Sequence, residues 1–184
     1  MGRRPPGRPG HAAGPSRRSH RSHGVAERGH RLFVPEPERT DGQREASALA
    51  TALADELVAA DALLFTVPLY NFGVSQQFKT WFDVAYTDPR INPEGRALRG
   101  KPATLVTALG GNYGSGTPKE GWDHSTPWLR RVLADVWGLD LRVVERPFTL
   151  VGVNPALDAF TDLAAGLKAN AEARAGRLAL SSRS

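Results

Sequence analysis

Short apolar runs alternate with helix-like segments along the chain, and this alternation constrains the fold more than any other feature. Three runs have the length and apolar content of buried strands, at residues 63–67, 103–107 and 141–144. Nearly continuous apolar strands are typical of parallel sheets that helices cover on both faces. The pattern therefore predicts an α/β protein with an open parallel sheet and right-handed crossovers.

Helix signals fall before, between and after these runs. Four helices are predicted, and they begin near Ala46, Ser75, Thr126 and Asn154. Serine, threonine and asparagine are favoured N-cap residues, and Pro127 suits a first helical turn. In the first helix the spacing of Leu49, Leu53 and Leu57 predicts one apolar stripe facing the core.

The positive charge of the chain is confined to its first residues. Residues 1–34 hold eight arginines and one acidic residue, a net charge of +7, whereas all 184 residues together carry +5. The remaining residues are therefore mildly acidic, which does not favour nucleic-acid binding. The Arg-, Gly- and Pro-rich composition predicts a disordered tail over residues 1–38, followed by one domain over residues 39–180.

Several kinds of chemistry are excluded by composition. The chain has no cysteine, which rules out disulfides, a thiol nucleophile and thiolate-bound metals. Four of the five histidines lie in residues 1–30 without accompanying carboxylates, so we expect no metal site. No run of 18 apolar residues is present, so we expect no membrane-spanning helix. The sequence shows no catalytic triad, and we assign no residue a catalytic role.

Two loops follow predicted strands at the place where open parallel sheets bind ligands, beyond the carboxyl ends of the strands. Residues 68–73 offer Tyr70 and Phe72 as ring surfaces and Asn71 as a hydrogen-bonding amide, and residues 110–116 offer bare backbone. This combination suits a flat heterocycle with polar edges. A purely structural loop with Phe72 buried in the core is the alternative.

Four motifs in this part of the chain are characteristic together. Residues 67–75 read VPLYNFGVS and residues 78–83 read FKTWFD, while residues 110–113 read GGNY and residues 123–130 read DHSTPWLR. They resemble the FMN-dependent NADH-azoreductase and NADH:quinone oxidoreductase family over about residues 40–180. The resemblance implies a flavodoxin-like fold, FMN as cofactor and NAD(P)H as electron donor. It further implies reduction of quinones or azo compounds by hydride transfer through flavin.

The resemblance also implies which residues contact the flavin ring: Leu69, Tyr70, Asn71, Phe72, Ala108, Leu109, Gly110 and Gly111. Family members usually carry serine and arginine where this chain has Ala108 and Leu109, so contacts there would come from the backbone. Tyr113 and His124 are candidate substrate-binding residues. A structural role for His124, bracing the start of the following helix, is the alternative. Trp122 is open to three roles: core, dimer contact or cleft wall.

One family feature is not recognisable. Members begin with a strand that runs into a Ser-Pro-Arg loop holding the FMN phosphate at a helix N-terminus. No apolar strand precedes residue 31 here, and Ser16, Ser19 and Ser22 do not match the loop's spacing. We therefore expect the first strand and the phosphate loop to be missing or replaced.

Two functions remain after the sequence analysis. The first is a cytoplasmic, homodimeric oxidoreductase that acts on a small-molecule quinone or azo acceptor, with no membrane or nucleic-acid partner. The alternative is a non-catalytic flavodoxin-like remnant without the FMN phosphate site, whose basic arm binds a partner or nucleic acid.

Overall fold

The computed structural model describes residues 35–181. Its helices and strands are α1 (Asp41–Ala59), β1 (Leu63–Thr66), β2 (Leu69–Tyr70), β3 (Gly73–Val74), α2 (Gln76–Ala85), β4 (Pro102–Ala108), α3 (Thr126–Arg130), β5 (Asp140–Arg146) and α4 (Thr161–Ser181). A π-helix (Arg131–Val136) continues α3, and two 3-10 helices occupy Glu36–Glu38 and Pro155–Phe160. Most of the expected tail, residues 1–34, lies outside the described residues.

Strands β1, β4 and β5 form a parallel sheet in that order. Phe65, Leu105 and Val143 lie side by side across it. The three strands predicted from the apolar runs are confirmed, with β4 and β5 longer than expected. Within residues 35–181, β1 pairs on one side only, and α1 is the element that precedes it.

One face of the sheet carries the main core. Phe65, Leu105 and Val143 pack there with buried residues of α1, α2 and α3. Next to Val143, Val144 points to the opposite face and is also buried, and α4 packs against β5. Because side chains alternate along a strand, both faces of β5 are covered. The expected arrangement of helices on both faces is therefore present.

The helix starts follow capping chemistry. Thr40 forms a capping box with Gln43, and the Ser75 hydroxyl accepts a hydrogen bond from the Phe78 amide at 3.2 Å. The predicted apolar stripe of α1 is partly wrong. Leu49 is 52% exposed, and the buried positions are Ala50, Ala54 and Leu57, because the small alanines lie on the side that meets the core.

The last helix begins later than the sequence suggested. Asn154 does cap a helix, accepting from the Ala156 amide at 3.1 Å, but that helix is the 3-10 segment, and α4 starts only at Thr161. Among residues 35–181, the helices are all too short or too polar to cross a membrane.

Candidate functional site

The first predicted loop folds into a small hairpin directly after β1. Leu69 pairs with Val74 and Tyr70 with Gly73, so Asn71 and Phe72 form a two-residue turn. Both turn residues have positive φ, 47° and 66°. Two-residue hairpins favour such turns, and asparagine tolerates this conformation, whereas a phenylalanine there is strained. The hairpin thus holds Asn71 and Phe72 outward.

The ring side chains of the hairpin are accessible rather than buried. Tyr70 is 57% exposed and Phe72 is 40% exposed. The alternative in which Phe72 fills the core is therefore not what the structure has. The Asn71 side chain is also exposed, and it makes no hydrogen bond to any described residue.

The second predicted loop follows β4, and Leu109, the residue that joins the strand to this loop, is used by the fold itself. The Leu109 side chain is buried. Its amide donates to the Arg146 carbonyl at 2.9 Å, and its carbonyl accepts from the Thr149 amide at 3.0 Å. Leu109 therefore anchors the loop to the end of β5 and has no free donor of its own. Ala108, the last residue of β4, is half-buried.

The two glycines that follow leave their amides free. Their carbonyls accept hydrogen bonds from Leu150 and Phe148, but neither Gly110 nor Gly111 donates its N–H to a described residue. A Cβ atom on Gly110 would lie 2.8 Å from the Leu150 side chain, so a larger residue would displace that neighbour. The loop thus offers two adjacent backbone donors.

The two loops meet at the same edge of the sheet, as the strand order predicts. The rings of Phe72 and Tyr113 lie 6.3 Å apart in an edge-to-face arrangement. The His124 amide donates to the Phe72 carbonyl at 2.9 Å, which fixes the hairpin to the chain before α3. His124 itself is exposed, so its backbone supports the site while its side chain is free to meet a substrate.

The brace at the start of α3 comes from Asp123, a residue that the sequence analysis did not single out. One carboxylate oxygen accepts from the Ser125 amide at 2.8 Å and from the Thr126 amide at 2.9 Å. Asp123 lies two residues before Ser125, the N-cap residue of α3, whose own side chain makes no capping hydrogen bond, so the Asp123 carboxylate braces the segment that leads into the helix. Asp123 therefore braces the start of α3, the structural role that was considered for His124.

Hydrogen bonds within residues 115–120 shape the loop that connects the glycines to the segment before α3. The Glu120 carboxylate accepts from the Gly116 amide at 2.8 Å and from the Ser115 hydroxyl at 3.1 Å. The Gly116 amide, followed by the Ser115 hydroxyl, lowers the pKa of Glu120. The loop therefore has a defined shape near neutral pH.

Trp122, whose role the sequence left open, lies beside the hairpin. Its ring lies 5.4 Å from the Phe72 ring, edge to face, and half of its side chain is exposed. Of the three roles left open by the sequence, core is excluded. The sequence signal for this position of Trp122 is the preceding residue, Gly121, whose φ of 79° turns the chain back toward the hairpin.

The chemistry of this arrangement suits a flat heterocycle. Two backbone N–H groups, a free carboxamide and several ring surfaces converge at one sheet edge, whereas no cluster of three metal-ligating side chains occurs within residues 35–181. A neighbouring apolar groove of about 330 Å³ borders Gly111 and is lined by Phe148 and Phe160. The ring contacts expected for a flavin therefore fit the residues present.

Comparison with known proteins agrees with this chemistry. The model of a family with the flavodoxin-like fold matches residues 19–172. An FMN-dependent NADH:quinone oxidoreductase from Frankia casuarinae is 43% identical over 146 residues, 78% of this chain and 69% of that protein. One from Frankia alni is 41% identical over 134 residues, 71% of this chain and 64% of that protein. The chain thus spans about two thirds of the length of these curated relatives.

Solved structures show the same fold at low sequence identity. The crystal structure of azoreductase AzrA superposes with a TM-score of 0.65 at 20% identity, covering 86% of this chain and 75% of that one. An FMN-dependent NADH-azoreductase from Bacillus anthracis in complex with FMN gives 0.63 at 18% identity, covering 84% and 73%.

A parallel sheet between helices, with its open loops at the carboxyl ends of the strands, defines a protein of the flavodoxin-like class. The chain belongs to the flavodoxin-like family that includes the FMN-dependent NADH:quinone oxidoreductases, and the resemblance seen in the motifs is confirmed.

Proposed function

We propose that this chain is an FMN-dependent NAD(P)H oxidoreductase that reduces quinones or azo compounds. The names of its relatives support this function over the non-catalytic alternative. One contact carries the proposal. Phe72 of the turn contacts Tyr113 of the glycine loop and His124 of the segment that follows it. The free carboxamide of Asn71 and the two free glycine amides therefore lie in neighbouring loops at one edge of the sheet.

The residues of the site would bind and orient the flavin ring. The amides of Gly110 and Gly111 would donate to its carbonyl edge, and the Asn71 carboxamide can donate and accept beside them. Tyr70 and Phe72 would cover ring surface and exclude water. When bound, FMN supplies hydride acceptance from NAD(P)H and electron transfer to the acceptor, so no acid–base pair is required of the protein.

The remaining predicted contacts have smaller roles in this proposal. Leu69 and Ala108 are half-buried and would border the ring at the ends of their strands. Leu109 would act only by anchoring the loop, because its side chain is buried and its amide is bonded. Tyr113 and the exposed His124 side chain would face the substrate.

The proposal includes a homodimer in the cytoplasm, where the donor NAD(P)H is available. Several exposed apolar side chains near the start of α4 support a protein interface there. They are Leu150 (44% exposed), Val153 (74%), Phe160 (42%) and Leu163 (51%). Contiguous exposed apolar residues of this kind commonly mark interaction surfaces.

The test is fluorescence titration with FMN, combined with NADH oxidation in the presence of 1,4-naphthoquinone. We expect the wild-type chain to bind FMN and, with air excluded so that dioxygen cannot accept the electrons, to oxidise NADH continuously only when the quinone is present. The variant Asn71→Gly keeps a residue that accepts positive φ but removes the carboxamide. It should bind FMN about tenfold to a hundredfold more weakly, because a hydrogen bond to the ring edge is lost.

Asn170→Ala is the matched control, since it removes an exposed amide from α4. Its FMN affinity should equal that of the wild type. Equal affinity in Asn71→Gly would remove Asn71 from the site, and a wild-type chain with neither flavin binding nor quinone reduction would refute the proposed function.

A further inference from the structure

Trp122 differs from the other tryptophans of the chain in its surroundings. Trp137 is buried and Trp81 and Trp128 are half-buried, all three within the main core, whereas half of the Trp122 side chain is exposed. A large apolar ring that stays exposed beside other rings is typical of a surface that binds something. Its position next to the candidate flavin site gives that surface a specific context.

Backbone contacts fix the position of this ring. The Trp122 amide donates to the Lys119 carbonyl at 3.1 Å, and two residues later the His124 amide donates to the Phe72 carbonyl at 2.9 Å. Gly121, with a φ of 79°, lies in the turn that the first of these hydrogen bonds closes. The indole is thus held against the hairpin by the main chain on both sides, rather than by a flexible tether.

The ring geometry leaves stacking surface available. Phe72 contacts Tyr113 at 6.3 Å and Trp122 at 5.4 Å, with interplanar angles of 78° and 79°. An edge-to-face contact covers at most one face of the indole. Because half of the side chain is exposed, a flat molecule can stack on the remaining face.

We infer that Trp122 is a specificity-determining residue for the electron acceptor: its indole stacks on the acceptor and favours fused-ring quinones over single-ring quinones. This inference rests on the proposed function. A fused second ring buries additional apolar area against the two-ring indole, which a single-ring quinone cannot do. Stacking of this kind holds acceptor and transition state alike, so it acts on KM rather than on kcat.

The experiment compares 1,4-naphthoquinone with 1,4-benzoquinone in the FMN-loaded protein. In Trp122→Ala we expect KM for naphthoquinone to rise about tenfold and KM for benzoquinone to rise less than about threefold. Trp122→Phe retains a ring and should recover most of the loss. Leu64→Ala, which shortens an exposed apolar side chain on β1, should change neither KM.

One result would overturn the inference: a ratio of the two KM values that is unchanged in Trp122→Ala. If both KM values also rise equally and FMN binding weakens, Trp122 only supports the hairpin. In either case the proposed function stands as long as the wild type reduces quinones.

An equilibrium measurement tests Trp122 independently of turnover. The fluorescence of wild type minus that of Trp122→Phe isolates the exposed indole, and we expect saturable quenching at lower concentrations of naphthoquinone than of benzoquinone. If the wild type shows no NADH oxidation, the proposed function fails, and this measurement alone decides the inference. Absence of saturable quenching would refute it.

Discussion

Phe72 adopts a left-handed backbone conformation that bulky residues avoid, at φ 66°. Such a conformation costs about 1–2 kcal/mol for a non-glycine residue. Strain of this kind persists where the surroundings enforce it, and it clusters at functional sites. The Phe72 carbonyl is held by His124, and its ring is held between Tyr113 and Trp122. The strain therefore keeps an aromatic ring at the edge of the candidate site.

This strain predicts an unusual stability order at position 72. Phe72→Ala and Phe72→Gly both remove the ring, but only glycine accepts the positive φ without cost. We expect the glycine variant to be more stable than the alanine variant by about 1 kcal/mol, the reverse of the usual order. Urea unfolding of both variants measures the difference. An alanine variant at least as stable as the glycine variant would show that the turn is not strained.

Residue-level features of the site were predictable to different degrees. The loops containing Asn71 and Gly110 were predicted because they follow apolar strands. The burial of Leu109 was not predicted. It follows from the hydrogen bond that its amide donates to Arg146 at the end of β5, and nothing in the sequence shows this contact. Trp122 remained open among three roles because its contact with Phe72 depends on the turn at Gly121.

At the scale of elements, the strands were easier to predict than the helices. Short apolar runs mark β1, β4 and β5 directly, and the Ser75 cap marks α2. The π-helix after α3 was not predicted. Its defining bond, from the Trp137 amide to the Val132 carbonyl at 3.1 Å, spans five residues, and a single such turn has no distinct apolar period.

An ion pair between the buried Asp88 and the partly exposed Arg90 connects two elements and gives the fold a pH dependence. The Asp88 carboxylate, just after α2, accepts hydrogen bonds from the Arg90 amide and guanidinium at 2.9 Å, and Arg90 also contacts Asp55 of α1 at 2.6 Å. The hydrogen bond from the Arg90 side chain is the main cause that lowers the pKa of Asp88 below its ordinary value of 3.8.

A lowered pKa in the folded state means that Asp88 stabilises the protein above the unfolded pKa. This contribution is lost as the pH falls from about 4 through the folded pKa. Asp88→Asn should therefore be less stable at pH 7 by about 1–3 kcal/mol and should lose less stability between pH 5 and pH 3. Urea unfolding at several pH values measures both effects.

Asp61→Asn is the matched control for this prediction. Asp61 is exposed, and its carboxylate accepts no hydrogen bond from a described residue. We expect that variant to follow the wild-type pH dependence. A slope in Asp88→Asn equal to the wild-type slope would place the acid sensitivity elsewhere.

At the scale of the whole molecule, the described residues would supply the ring-binding half of the proposed flavin site. The element before β1 is α1, and the phosphate loop expected from the family resemblance is not found within residues 35–181. The sequence predicted that this loop is missing or replaced, because neither the first strand nor the serine spacing of the family was recognisable. It could not predict the hairpin that replaces a simple loop, since Asn-Phe is not a common turn pair.

This arrangement predicts weak discrimination between FMN and riboflavin. Hydrogen bonds to a phosphate contribute about 1.5–3 kcal/mol each, so two or three of them would favour FMN by roughly a thousandfold or more. Where residues 35–181 alone hold the flavin, we expect FMN and riboflavin to bind within about tenfold of each other at both low and high salt. Fluorescence titration measures this ratio. A strong, salt-insensitive preference for FMN would indicate a phosphate site involving residues 1–34.

The order of strands in the sheet also bears on how the protein acquires its structure. Each sheet strand lies beside the next one along the chain, from β1 through β4 to β5. Among residues 35–181, no strand must be inserted late between two that are already paired, so every new pairing closes only the segment made since the previous one. Folding can therefore proceed in the direction of synthesis. Helix α4 follows β5 in the chain and then covers one face of that strand.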